Sequence, residues 1–189
     1  RPLVCGNSVL QPGDIVCIQE TMLHGADVDE PMDSDRAQQY ADDIAPQCRS
    51  FWTGHCGIVV SPSLDDLSVA ASALLGGRLI LLTLSRDDAV LLHVACIYAP
   101  AKRSKHQKRA FFVKLHQILE HVDRSKILIV GDWNIVPDPH DKRDFTGGAP
   151  DPFDNCAWNV MRERSALDLV EVLGTIKPGR TFGDLTWTS

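Results

Sequence analysis

Three apolar runs in this chain each end abruptly in a polar group able to do chemistry, and that pattern limits the possible folds more than any other feature. Asp14-Ile15-Val16-Cys17-Ile18-Gln19-Glu20 ends in a carboxylate, Leu92-His93-Val94-Ala95-Cys96-Ile97-Tyr98 ends in a phenol before Ala99-Pro100, and Ile127-Leu128-Ile129-Val130 runs into Gly131-Asp132-Trp133-Asn134. Short runs of β-branched and aliphatic residues bounded by turn formers read as buried strands. A further strand is expected over 55–60. Residues 78–84 and 89–98 are expected to form an antiparallel hairpin through the turn Ser85-Arg86-Asp87-Asp88. Residues 104–121 have a helical period, with Phe111, Phe112, Leu115, Ile118 and Leu119 on one side. A second helix is expected over 158–173, and a last strand begins at 181. Between these lie a polar acidic loop over 24–48, with a short helix near 36–40, and a loop rich in Pro, Gly and Asp over 137–155. Strands, a hairpin and intervening helices make an α/β or α+β layered sheet protein, which places its sites at strand ends.

At 189 residues the chain is expected to be a single domain over 1–189. Its longest apolar candidate, 79–84, falls far short of the roughly 20 residues a membrane span needs, and the N-terminus lacks the pattern of a signal peptide. None of the six cysteines forms a C-x-x-C pair, which argues against a zinc site and for a reducing, intracellular setting without a disulfide framework. A nuclear location is compatible with that. The formal net charge of −6 is carried by residues 27–43 alone, where Asp27, Asp29, Glu30, Asp33, Asp35, Asp42 and Asp43 face only Arg36. The rest of the chain is neutral, so a polyanionic substrate is not excluded.

Taken together, the strand-end groups suit a hard divalent cation, which takes one or two carboxylates and completes its shell with water and phosphate. In extended geometry Asp132 and Asn134, two apart, would share a face. One could then orient a water while the other donates to a phosphate oxygen. Each group also has a plain alternative: Gln19-Glu20 solvates a strand end, Gly131-Asp132-Trp133-Asn134 is a capped turn, and Tyr98 belongs to core and turn. The basic run Lys102, Arg103, Lys105, Lys108 and Arg109, and the pair Lys142 and Arg143, could track a nucleic-acid backbone or be ordinary solvated charge.

In this order and at these spacings the segments resemble the endonuclease/exonuclease/phosphatase (EEP) superfamily. Asp14 to Thr21 is similar to its DIxxLQET motif, 92–100 to its NVYxP strand, and 127–134 to its GDFN strand with Trp in place of Phe. Cys56-Gly57-Ile58-Val59-Val60, Ala166-Leu167-Asp168-Leu169-Val170 and Thr186-Trp187 extend the likeness over nearly the whole chain. The features look most like the apurinic-type endonuclease domain of LINE-like non-LTR retrotransposons. The resemblance implies a four-layer α/β/β/α sandwich of the DNase I-like type. It implies that Glu20 binds Mg²⁺ (or Mn²⁺), Asp132 activates the attacking water, Asn134 holds the phosphate and Tyr98 contacts it. The implied reaction is nicking of DNA to leave a 3′-hydroxyl usable as a primer, and the implied partner is a fused or neighbouring reverse transcriptase. Other EEP phosphoesterases, or a non-catalytic remnant, are the alternatives.

Two of the family's features have no counterpart. The family's first-strand Asn is not matched by Asn7, which stands in a loop-like Gly6-Asn7-Ser8 context. Its C-terminal Ser-Asp-His would follow Ser189, so the expectation is a domain incomplete at its C-terminus and impaired for that reason. His93 is assigned to a strand, His106, His116 and His121 to the helix, and His140 to a loop.

Overall fold

In the computed structural model of the chain, the residues described are 13–21, 39, 48–100 and 105–134. Seven strands fall in these segments: β1 (Ile15–Gln19), β2 (Arg49–Trp52), β3 (Cys56–Val60), β4 (Ser68–Leu74), β5 (Leu79–Arg86), β6 (Ala89–Tyr98) and β7 (Ile127–Asp132). One α-helix, α1 (Lys105–Leu119), precedes β7. Contacts divide the chain into two units, Arg1–Ala99 with His121–Trp133, and Pro100–Glu120 with Asn134–Ser189.

The first unit holds both sheets. One is antiparallel in the order β1-β3-β2, and the other runs β4-β5-β6-β7, with β6 and β7 parallel. Strand alternation puts Ile15 and Cys17 of β1 on the same face as Ile58 and Val60 of β3, across the register pairs Ile15↔Val60 and Cys17↔Ile58. These residues pack with Ile80, Leu82 and Leu84 of β5 and Val94 and Cys96 of β6 in one apolar core. The two sheets therefore meet face to face through aliphatic side chains, the β/β centre of the α/β architecture that the resemblance implies. Full burial of a side chain such as Ile58 or Leu82 contributes about 1.5–3 kcal/mol.

Local sequence explains the joins. The β5–β6 hairpin closes on Asp87 and Asp88, with φ of 51° and 64°, the two left-handed positions that a two-residue hairpin turn demands. The turn is thus tighter than the expected 85–88, because Ser85 and Arg86 still pair with Val90 and Ala89. Gly57 is where β3 meets the ring of its register partner Trp52, and a Cβ there would run into that ring. Two strands escape the sequence pattern. β4 is built of Ser and Ala around Val69, whose small side chains give little hydrophobic alternation. β2 is only four residues long.

The described part of the second unit is Pro100, α1 with Glu120 after it, and Asn134. Phe111, Phe112, Leu115 and Leu119 are buried, as the helical period predicts, while Ile118 is half-buried. Phe111 and Phe112 meet edge to face, with ring centroids 5.3 Å apart. The helix stops at Leu119, so His121 lies just beyond it rather than on it. No helix among the described residues is long and apolar enough to cross a membrane. The expected second helix, the last strand, the loop over 137–155 and the short helix near 36–40, apart from Gln39, fall outside the described residues, as do Asn7 and His140.

Candidate active site

Tyr98 is the last residue of β6, and its hydroxyl donates to Glu20 Oε1 at 2.8 Å. Glu20 follows the last residue of β1, in the opposite sheet, with φ of 56°. A left-handed backbone costs a residue such as Glu of order 1–3 kcal/mol and gathers at functional sites. Asp132, the last residue of β7, is the register partner of Tyr98 in the parallel ladder. Partners in register share a face, so phenol and second carboxylate stand side by side. The ladder is extended by the Ala99 N–H, which donates to Asp132 O at 2.8 Å.

Gly131 allows that approach. Its φ is 143°, and a Cβ on it would run into the backbone of Ile97. No L-residue with a side chain fits there, which gives the glycine of Gly131-Asp132-Trp133-Asn134 a physical reason.

Two residues without a sequence motif to mark them also meet Tyr98. The His55 ring lies 5.8 Å from the phenol ring at an interplanar angle of 25°. The Arg78 guanidinium carbon lies 5.4 Å from the Tyr98 centroid, and Arg78 Nη1 donates to Tyr98 O at 3.3 Å. His55 precedes β3 and Arg78 precedes β5. An antiparallel neighbour begins where its partner ends, so the hairpin registers bring these strand starts to the ends of β1 and β6. That signal was available only once pairing was known.

The electrostatics follow from the geometry. Burial pushes the Tyr98 hydroxyl above its usual value; the hydrogen bond to Glu20 and the charges of Glu20 and Asp132 add to the effect, and Arg78 opposes it. The phenol therefore stays protonated at neutral pH and acts as a donor. Behind it, Gln19 Nε2 donates to Cys96 Sγ at 3.4 Å. Contact with Cys96 and burial hold the Cys17 and Cys56 thiols well above the usual range, so both are neutral packing groups. The four described cysteines, Cys17, Cys48, Cys56 and Cys96, are free thiols.

Asn134 corrects one expectation. β7 ends at Asp132, and Asn134 has φ of 48°, so the extended alternation that would put both side chains on one face does not continue to it. Its carbonyl accepts from Lys108 Nζ at 2.7 Å, both in the second unit. That bond uses one cation of the basic run, while His106 and Arg109 are exposed. Lys102, Arg103, Lys142 and Arg143 lie outside the described residues. His93 is in β6, where its Nδ1 is 3.0 Å from Thr83 Oγ1, and His116 is on α1, both as expected.

The donor set fits a hard cation. Glu20 and Asp132 both lie close enough to act on the Tyr98 phenol, and both offer carboxylate oxygens. Among the described residues no group of three or more His, Cys, Asp or Glu could close around a metal.

A model of the Endonuclease/Exonuclease/phosphatase family matches residues 6–189. The chain belongs to that family. No curated protein is a match for it. Endonuclease/exonuclease/phosphatase enzymes are metal-dependent hydrolases of phosphoester bonds, and the family generally uses divalent cations.

Proposed function

We propose that this chain is a nicking endonuclease domain of the retroelement type, hydrolysing DNA phosphodiester bonds with Mg²⁺ or Mn²⁺. The observation that carries this reading is the 2.8 Å bond between Tyr98 and Glu20 beside Asp132, its register partner. Three strand ends from two sheets deliver two carboxylates and a phenol to one place. The retroelement assignment is supported by the sequence features Gln19-Glu20-Thr21, Ile97-Tyr98-Ala99-Pro100, Gly131-Asp132-Trp133-Asn134 and Thr186-Trp187.

Glu20, with its exposed carboxylate, would hold the divalent cation, helped by Asp132. When bound, the cation neutralises phosphate charge and makes water a better nucleophile at neutral pH. Asp132 orients the attacking water and takes its proton. Tyr98, held protonated, turns its single O–H from Glu20 to a non-bridging phosphate oxygen as negative charge builds there. Asn134 is assigned to the phosphate on its position in the motif. Attack in line with the O3′ leaving group breaks the P–O3′ bond; O3′ takes up a proton from solvent, which leaves a 3′-hydroxyl and a 5′-phosphate.

The test is nicking of supercoiled plasmid with Mg²⁺ by the full chain, beside Glu20→Gln and an EDTA control. Nicking abolished by both supports the assignment. Release of phosphate from inositol phosphates with the plasmid intact would move the chain to another branch of the family. No difference between the wild type and Glu20→Gln would sink the reading.

A further inference from the structure

Thr53, between β2 and β3, is 0% exposed. Its Oγ1 donates to Gly77 O at 2.6 Å, with Cys56 O a second, longer acceptor at 3.2 Å, and accepts from Cys56 N–H at 2.9 Å and His55 N–H at 3.3 Å. A hydroxyl has one proton and two lone pairs, so with the proton on Gly77 O, the nearer of its two acceptors, the two N–H groups take up the rest of its capacity. Its main chain is engaged as well: Thr53 N–H donates to Cys56 O at 2.8 Å, and Thr53 O accepts from the hydroxyl of buried Thr21 at 2.8 Å.

Closing the 53–56 turn needs only the local bonds. The bonds to Gly77 and from Thr21 span 24 and 32 residues of chain, and the turn gains nothing from them. Each leads instead to a residue that meets Tyr98. Thr21 follows Glu20, which accepts from the phenol; Gly77 precedes Arg78, which lies over its ring; and His55, bonded directly, stacks on it. Three separate segments thus reach one side chain through one buried residue.

We propose that Thr53 is a positioning residue for Tyr98, setting through one hydroxyl and one carbonyl where Glu20, His55 and Arg78 meet the phenol. The inference rests on the reading above, in which Glu20 and Tyr98 stand at the reacting phosphate. It adds a residue that touches neither substrate nor cation.

The chain has two tyrosines, Tyr40 and Tyr98, so in a Tyr40→Phe background a ¹³Cζ-tyrosine label reports Tyr98 alone. At neutral pH, Glu20→Ala gives the resonance displacement for loss of the carboxylate acceptor. Thr53→Val, which keeps the shape and removes the hydroxyl, is expected to move the resonance by at least half that displacement or to split it. Thr53→Ser is expected to restore the wild-type position. Thr21→Val leaves the Thr53 hydroxyl in place and is expected to give a smaller shift in the same direction. A folded Thr53→Val with the Tyr98 signal unmoved overturns the proposal, and so does a Thr53→Ser that shifts as far as Val. If Thr53→Val does not fold, Thr21→Val decides, and an unmoved signal there overturns it too. A merely structural role would lower the melting temperature and leave the resonance in place. None of these signals depends on turnover: a wild-type chain that fails to nick DNA sinks the functional reading while the resonances still decide the fate of Thr53.

Discussion

β6 has carboxylates beside both of its ends, in left-handed backbone at each, and the two ends differ in what the other strands bring. At its start, Asp87 and Asp88 have φ of 51° and 64° because a two-residue hairpin turn requires it, and both side chains are exposed. At its finish, Glu20 has φ of 56°, no hairpin requires it, and the side chain is bonded to Tyr98. β1, β5 and β7 place Glu20, Arg78 and Asp132 around the finish, while at the start the hairpin's own turn is joined by Lys126, whose Nζ donates to Val90 O at 2.8 Å. Acidic residues in strained backbone are common to both. Convergence of strand ends from two sheets is what turns one of them into a candidate site.

The sharpest way to break that contrast is Asp132→Asn, which keeps the shape and removes the base. Plasmid nicking is expected to fall about 10²–10⁴-fold with the fold retained, and nicking at the wild-type rate would remove Asp132 from the chemistry. Next is Gly131→Ala. The added Cβ meets the Ile97 backbone at a φ that only glycine tolerates, so a loss of roughly 3 kcal/mol or more is expected in denaturant melts. An unchanged midpoint would show that β7 does not need this close approach.

Tyr98→Phe removes one donor and is expected to slow nicking roughly 10–100-fold, the equivalent of about 1–3 kcal/mol. The same residue gives a pH prediction. In EDTA and a Tyr40→Phe background, the phenolate absorbance of Tyr98 is expected above the ordinary tyrosine value of about 10, because burial, Glu20 and Asp132 favour the neutral phenol. The folded value is raised above the unfolded one. The stability this contributes is therefore fully present below the unfolded value and is lost as pH rises through the folded one. A phenolate appearing at or below the ordinary value would contradict that. The smallest effect is expected at the other end of the strand. Asp87→Gly should stay within about 0.5 kcal/mol of the wild type and nick equally well; a loss to match Asp132→Asn would erase the distinction between the two ends.

Much of the fold could be read from hydrophobic runs and punctuation. β1, β3, β5, β6, β7 and α1 stand where such runs and a helical period put them, although the hairpin turn closes on Asp87 and Asp88 rather than over 85–88. β4 was not legible, because Ala and Ser alternate in space without alternating much in hydrophobicity. At the site, Glu20, Tyr98 and Asp132 were legible as strand-end groups. Thr53, His55 and Arg78 were not, since a residue at the start of a strand becomes a neighbour of a distant strand end only through register. Asn134 shows the opposite error: alternation was extended one step past the point where the backbone leaves the strand.

Gly131 has a consequence for how the β6–β7 pair could be reused. Parallel ladders have evenly spaced hydrogen bonds, so main-chain bonding alone discriminates poorly between one alignment and another two residues away. A slip of that size would bring Ile129 or Trp133 against Ile97, and neither could occupy the place of a residue without a Cβ. The separation of phenol and carboxylate is therefore encoded by a missing atom one residue before the carboxylate. It would travel with the two strands as a transferable cassette, grafted onto another sheet or shuffled between genes, provided the glycine went with them.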